Sequence, residues 1–120
     1  MNNRPFTIFC DIDGTLVEHN PPSVVACENT KLKLLPHTLE KLNEWDSKGY
    51  YIVLVTGRKE SMRNITEKQL REVGIFYDQL IMGIGGGKRI LINDKKIGNN
   101  DDTATSFSLT RNVGLKNIEL

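Results

Sequence analysis

The sequence predicts a three-layer α/β domain in which helices cover both faces of a central parallel sheet. Apolar runs at 6–11, 50–55 and 89–94 are short and rich in β-branched or aromatic residues, which is typical of buried strands. Between them, 36–49 and 60–73 repeat apolar residues at helical spacing. Strands that alternate with helices favour a parallel sheet, and right-handed crossovers place the strand ends along one edge.

Composition sets limits on the class of protein. The 120 residues are enough for a single domain, 1–120, and the hydrophobic and charged fractions of 38% and 26% are ordinary for a globular protein. The net charge of +1 argues against a nucleic-acid substrate. No apolar run is long enough to cross a membrane, and the N-terminal stretch 1–5 lacks the apolar segment of a signal peptide. We therefore expect a cytoplasmic protein.

The first half of the chain contains two strands and a helix. The first strand covers 6–11, and 16–34 is polar and irregular, with a short strand expected at 24–26. A helix begins near Pro36, where proline is tolerated, and ends at Gly49. The second strand, 50–55, follows directly.

The second half continues the alternation and then becomes more polar. A helix over 60–73 leads to a weaker strand at 76–81 and a glycine-rich loop at 83–87. A fourth strand is expected at 89–94. A polar turn or hairpin at 95–105 and an edge strand at 107–109 complete the prediction.

Polar side chains follow three of the predicted strands. Asp11, Thr56 and Asp94 each stand at a strand end, and Asp13 follows in the first loop. Parallel strands bring these groups to one edge of the sheet, where open α/β sheets bind ligands. Three carboxylates form the hard oxygen environment that suits Mg²⁺.

Groups for binding a phosphate accompany the acids. The hydroxyl of Thr56 and the backbone N–H groups of Gly57 and Arg58 are expected to hold a phosphate oxygen. Lys88 or Arg89 is expected to supply a cation. A neutralised phosphoryl group can be attacked by one carboxylate while a second acid handles the proton of the leaving group.

These motifs resemble those of the haloacid dehalogenase (HAD) superfamily, which is dominated by Mg²⁺-dependent phosphatases. Asp11-Ile12-Asp13-Gly14-Thr15 is similar to its first motif, 53–58 to its second and 90–94 to its fourth. The resemblance implies a Rossmann-like, HAD-like sandwich. Little chain separates the first two motifs, so no large cap domain is expected between them.

The resemblance also implies roles for individual residues. Asp11 would be the nucleophile and a Mg²⁺ ligand, and Asp13 the general acid/base with its carbonyl on the metal. Thr56 would bind the phosphoryl oxygen, Lys88 would be the catalytic cation, and Asp94 would help to hold Mg²⁺. Two departures from the family pattern are Asn93 in place of an acid and the closeness of Lys88 to the fourth motif.

Capless members of the superfamily act on macromolecular phosphates or form homo-oligomers in which a neighbour covers the site. The nearly neutral charge favours a small phosphorylated sugar or related metabolite as substrate. Two other functions stay open. One is a phosphate- and Mg²⁺-binding protein with weak catalysis, and the other is a phospho-accepting receiver domain, although a receiver carries its acceptor acid after a middle strand.

Overall fold

Three parallel strands form the sheet of the computed structural model, which describes residues 4–120. They are β1 (Thr7–Asp11), β2 (Tyr51–Val55) and β3 (Gln79–Ile81), in the order β1-β2-β3. The register pairs the last residues of the strands in one row, Asp11 with Val55 and Val55 with Ile81. The α/β fold class with a parallel sheet is confirmed, and the strand ends share one edge. Residues 1–3 of the N-terminal stretch lie outside the described residues.

Three helices connect and flank the strands: α1 (Pro22–Val25), α2 (Thr38–Ser47) and α3 (Arg63–Glu72), the last preceded by a 3₁₀ turn at Glu60–Met62. The predicted helices at 36–49 and 60–73 are confirmed, with their ends shortened. Gly49 follows α2 with φ of 75°, a conformation that glycine adopts without a Cβ clash. Within residues 4–120, no helix has the length and apolar character needed to cross a bilayer.

The core lies between the sheet, α2 and α3, and the Asp11–Thr15 loop is built on it. Leu42 and Trp45 enter from α2, and Leu70 enters from α3. Ile12 and Leu16 have no exposed surface, so the loop that carries the acids is anchored at both ends. Burying one such side chain contributes roughly 1.5–3 kcal/mol. The site is therefore supported by packing and not by a free loop.

The predicted fourth strand at 89–94 is wrong. The segment is irregular, and large fractions of three apolar side chains are exposed, 77%, 59% and 88% for Ile90, Leu91 and Ile92. A strand needs a neighbour for its backbone N–H and C=O groups, and β1 is the outermost strand among the described residues. Local apolar character supplies no such partner, so the segment stays outside the three-stranded sheet.

The segment 95–105 folds back on itself as a polar turn, as predicted. A turn lies at 97–98, and the Asn93 side chain donates to the carbonyl oxygen of Thr103 at 3.2 Å. The expected strands at 24–26 and 107–109 are wrong. Pro22 begins a helical turn instead, because its fixed φ suits the first position of a helix. Residues 107–109 find no strand neighbour within the described part of the chain.

Candidate active site

Asp11 and Asp13 are presented by a tight turn at the end of β1. Cys10 and Ile12 are buried on either side of Asp11, so the alternation along the strand leaves the carboxylate of Asp11 at the surface. The backbone N–H of Leu16 then donates to the carbonyl of Ile12 at 2.9 Å, which closes the turn. Gly14 has φ of +86°, so the turn requires a residue that tolerates the left-handed region.

The Asp11 carboxylate is accessible and has two partners. Its Oδ2 accepts from the Thr15 hydroxyl at 3.3 Å, and its Oδ1 accepts from Arg89 Nη1 at 3.1 Å. The side chains of Asp11 and Arg89 are 36% and 44% exposed. A solvent-exposed ion pair of this kind contributes little to stability, about 0–1 kcal/mol. An incoming anion can therefore displace the guanidinium, or share it, at low cost.

Asp13 is held very differently. Arg58 donates from Nε to Oδ2 at 2.9 Å and from Nη2 to Oδ1 at 2.7 Å, a bidentate pair. The Arg58 side chain is only 5% exposed, and that of Asp13 is 19% exposed. Such a fork fixes the plane of a carboxylate as well as its position. The carboxylate of Asp13 therefore has one defined orientation, whereas the carboxylate of Asp11 is partly exposed to solvent.

A buried network holds Arg58 in turn. Its Nη1 donates to Thr66 Oγ1 at 3.2 Å and to Gln69 Oε1 at 2.7 Å, both on α3. Gln69 Nε2 donates to the carbonyl oxygen of Val25 at 2.8 Å. Four of the five guanidinium N–H donors are thus hydrogen-bonded, which removes most of the cost of burying the charge. The orientation of Asp13 is linked through Arg58 to α3 and to α1.

Thr56 and Gly57 follow β2 at the same edge. Thr56 is 2% exposed, and its Oγ1 accepts from the Arg58 backbone N–H at 3.1 Å. This bond leaves the Thr56 hydroxyl proton available as a donor, but it occupies the Arg58 N–H that was expected to bind phosphate. Among residues 4–120 the N–H of Gly57 has no acceptor, and Gly57 passes so close to Ile84 that a Cβ would lie 3.2 Å from its carbonyl oxygen.

Of the two candidate cations only Arg89 contacts an acid of the site, and within residues 4–120 Asp94 does not join Asp11 and Asp13 in a metal-binding group. Arg89 contacts Asp11, whereas Lys88 is exposed and has no partner within the described residues. Asp94 is exposed, and its main-chain carbonyl accepts from the Thr103 hydroxyl. In residues 4–120 no three acidic, His or Cys side chains lie together as metal ligands. The expected convergence of Asp94 with Asp11 and Asp13 depended on the fourth strand, which is absent.

Cys10 lies next to Asp11 in the chain and is the nearest alternative nucleophile. Burial, and secondly the negative charge of Asp11, raise the pKa of the Cys10 thiol to about 12. The thiol is therefore protonated at neutral pH, and it donates to the Asp11 carbonyl at 3.4 Å. Cys10 packs in the core and takes no part in the chemistry of the site.

The donors at this edge fit a magnesium ion. Mg²⁺ is usually bound through one or two carboxylates, with water and substrate phosphate completing its shell. Asp11 provides an exposed carboxylate, and the rigid turn at Asp13 lies two residues further on. A third carboxylate is not required for such a site. By the family resemblance, Asp11 and the main-chain carbonyl of Asp13 would hold the ion.

The buried network that holds Arg58 against Asp13 was not predicted from the sequence. Thr66 and Gln69 are polar residues, yet they are 0% and 1% exposed on the inner face of α3. Their spacing of three residues places them on one helix face beside the apolar stripe, which was the available signal. A buried polar pair on an otherwise apolar face needs a charged or polar partner, and Arg58 is that partner.

Comparison with known proteins gives one family and several structures. A family model described as the polynucleotide kinase PNKP phosphatase domain matches residues 5–94. No curated protein matches the chain. The matched residues include the side chains at or just after the ends of β1 and β2 that form the site, namely Asp11, Asp13, Thr56 and Arg58.

Among solved structures, a chain of a Pnkp1/Rnl/Hen1 complex is 28% identical with a TM-score of 0.57. The similarity covers 72% of this chain and 30% of that one. A second structure, of the Pnkp1/Rnl/Hen1 RNA repair complex, is 28% identical with a TM-score of 0.56 over 71% and 28% of the two chains. This chain thus spans less than a third of those relatives. A protein from Vibrio cholerae, 22% identical over 73% of this chain and 79% of the other with a TM-score of 0.53, shares the fold.

Proposed function

Because the chain belongs to the family of polynucleotide kinase phosphatase domains, within the HAD superfamily, we propose that it hydrolyses phosphate monoesters through an aspartyl-phosphate on Asp11. The observation that carries this proposal is the unequal environment of its two carboxylates. Asp11 is accessible at the strand end, and Asp13 is clamped by a buried arginine. A nucleophile must be reachable by substrate, whereas a proton-transfer group must be precisely oriented.

In the first step, a carboxylate oxygen of Asp11 attacks the phosphorus and the bond to the leaving oxygen breaks. Asp13 enters this step carrying a proton, delivers it to that oxygen and becomes the carboxylate that acts in the second step. In the second step, water attacks the phosphorus of the acyl phosphate, Asp13 takes the proton of this water, and inorganic phosphate leaves with Asp11 restored. Each Asp13 oxygen accepts one bond from Arg58 and keeps a second lone pair for the proton.

Thr56 and Arg89 support the phosphoryl group during these steps. The Thr56 hydroxyl proton is directed to a phosphoryl oxygen, as is the N–H of Gly57. Arg89 moves its guanidinium from Asp11 to the phosphoryl oxygens, which frees the nucleophile and balances the charge of the substrate. Bound Mg²⁺, held by Asp11 and the Asp13 carbonyl, would supply further neutralisation of the phosphoryl charge.

We propose a small phosphorylated sugar or related metabolite as the substrate. The net charge of +1 and the sequence pI of about 7.8 support this choice, because polynucleotide binding is dominated by basic surfaces that neutralise several phosphates. The second candidate is a phosphate at the end of a polynucleotide. The family match and the similarity to a chain of an RNA repair complex favour it.

A panel of phosphomonoesters separates these substrates. We expect Mg²⁺-dependent release of inorganic phosphate from p-nitrophenyl phosphate and from sugar phosphates, with oligonucleotides bearing a terminal phosphate as the competing class. A preference for oligonucleotides that weakens steeply with added salt would assign the second candidate. Binding of phosphate without any release would favour the non-catalytic alternative. Stable labelling by acetyl phosphate without turnover would favour a receiver.

We further propose that a second copy of the chain packs against the apolar residues 90–92. They follow Arg89 directly, so a partner seated there would also cover Asp11, and contiguous exposed apolar side chains are typical of interfaces. We expect light scattering to give at least a dimer. The double substitution Leu91→Asp and Ile92→Asp should give a monomer. A wild-type monomer at high micromolar concentration would contradict the proposal.

A further inference from the structure

A segment near the C-terminus, residues 110–115, lies across the turn that carries the acids, and we call it the C-terminal strap. Leu115 is 2% exposed and packs in the core, and its N–H donates to the Pro36 carbonyl at 3.4 Å. Gly114 has φ of +96° and passes so close to Pro36 that a Cβ would lie 2.6 Å from the same carbonyl oxygen. These contacts fix one end of the strap against the domain.

Asn112 fixes the other end to the Asp11–Thr15 loop itself. Its N–H donates to the Gly14 carbonyl at 2.9 Å, and its Oδ1 accepts from the N–H of His19 at 2.8 Å. It adopts φ of 66°, a left-handed conformation that Asn tolerates better than most residues. Hydrogen bonds to Gly14 within the turn and to His19 after it therefore fix the position of the strap relative to the acidic turn.

Arg111 extends over Gly14 as a consequence. A Cβ on Gly14 would lie 3.1 Å from Arg111 Cγ and 3.7 Å from its Nε, so the side chain runs along the turn between Asp13 and Thr15. Arg111 is exposed. Within residues 4–120 its guanidinium forms no ion pair, including none with Asp11 or Asp13.

In the absence of substrate, the other two arginines of the site each pair with a carboxylate. Arg58 neutralises Asp13 and Arg89 neutralises Asp11, which leaves Arg111 as an additional positive charge at the rim. An arginine held beside a phosphate site without a carboxylate partner is arranged to meet an anion. Because Thr56 and Arg89 are already placed to meet the phosphoryl group under attack, Arg111 is available to a different anion.

We infer that Arg111 binds a second anionic group of the substrate, on the leaving-group side of the phosphate. The inference rests on the proposed function and narrows its substrate class to phosphomonoesters that carry another negative charge. A carboxylate or a second phosphate on a small metabolite supplies that charge, and so does the adjacent phosphodiester of a polynucleotide. The chemistry is the same in each case, and matched substrates distinguish the sources.

The test uses substrate pairs that differ only in the second anion. The first pair is 3-phosphoglycerate and glycerol 3-phosphate. The second pair is a thymidine dinucleotide with a 3′-phosphate and the same dinucleotide with an uncharged methylphosphonate linkage. For wild type and for Arg111→Gln, the ratio of kcat/KM within each pair is measured, together with the ratio of dissociation constants by calorimetry. Arg71→Gln, at an exposed position of α3, is the matched control.

We expect Arg111→Gln to lower the ratio for at least one pair by about tenfold or more, as for loss of a charge-assisted hydrogen bond, and Arg111→Lys to recover part of it. The pair that responds identifies the source of the anion. Ratios that Arg111→Gln leaves unchanged in both pairs overturn the inference, because a merely structural disturbance of the turn would reduce both members equally. If wild type releases no phosphate from any substrate, the proposed function fails, and the binding ratios still decide the role of Arg111.

Discussion

Asp11→Asn is expected to lower Mg²⁺-dependent phosphate release by at least about a thousandfold, as for loss of a nucleophile. The amide keeps the shape of the side chain, but its oxygen is a far weaker nucleophile and carries no charge to hold a metal ion. The measurement is kcat for p-nitrophenyl phosphate and for the best substrate of the panel. Asp11→Glu should be nearly as damaging, since a shift of about 1 Å at the reacting atom costs on the order of a hundredfold.

The loss should not be a consequence of unfolding. The ion pair between Asp11 and Arg89 is exposed, so its removal should change the free energy of unfolding by about 1 kcal/mol at most. Asp46→Asn makes the same chemical change on the exposed face of α2 and should retain wild-type activity. Asp11→Asn that keeps more than a tenth of the activity would place the nucleophile elsewhere. A loss of stability far beyond the control would show that Asp11 supports the fold and that the activity loss follows from unfolding.

The first two strands and both long helices follow from local patterns in the sequence. β1 and β2 are apolar runs, and α2 carries Leu42 and Trp45 on one face. Burial on both faces gives β2 its continuous hydrophobic run, whereas β1, at the edge of the sheet, is equally apolar but leaves Phe9 56% exposed. The positions of Asp11 and Thr56 at one sheet edge then follow from topology alone.

The fourth strand shows the limit of that reasoning. Ile90, Leu91 and Ile92 have the composition of a strand, but strand formation is a property of a pair. The pairing depends on whether a sheet edge is reached by the chain, and a single sequence does not report this. Asp94 was placed in the site because of this strand, so its role as a Mg²⁺ ligand stays a prediction without the support of the strand.

Side-chain partners were harder to predict than backbone elements. The bond from Arg58 to Asp13 joins residues 45 positions apart, and neither has a local feature that selects the other. The sequence placed both near the strand ends, but it attributed phosphate contacts to the Arg58 backbone. The structure instead uses the guanidinium to orient the acid, so replacing Arg58 should affect both stability and catalysis.

Arg58→Met is expected to lower the free energy of unfolding by about 3–5 kcal/mol, as for breaking a buried ion pair from one side. It leaves Asp13 as a poorly solvated charge and removes the partner of Thr66 and Gln69. Chemical denaturation measures this loss. Arg71→Met, at an exposed site of α3, is the control and should change stability by less than about 0.5 kcal/mol.

Arg58→Lys separates the effect on catalysis from the effect on folding. Lysine keeps the charge but cannot form the bidentate fork, so Asp13 loses its fixed orientation while the protein stays more stable than Arg58→Met. If Asp13 protonates the leaving oxygen, the loss of kcat must depend on the leaving group. An alkyl phosphate needs that proton, whereas p-nitrophenolate leaves without it. We therefore expect Arg58→Lys to slow hydrolysis of the alkyl ester about tenfold more than hydrolysis of p-nitrophenyl phosphate. A positioned acid contributes at least about a hundredfold to the rate, so a tenfold difference corresponds to partial loss of that contribution.

Gln69→Met tests the same dependence of kcat on the leaving group with a smaller disturbance of the network. It removes one acceptor from Arg58 Nη1 and leaves the bonds to Asp13 in place, so it should cost about 1–3 kcal/mol of stability through an unsatisfied buried donor. Its effect on kcat should show the same dependence on the leaving group as Arg58→Lys, but smaller. Equal losses for both esters in either variant would mean that the network supports the fold without orienting Asp13 for proton transfer.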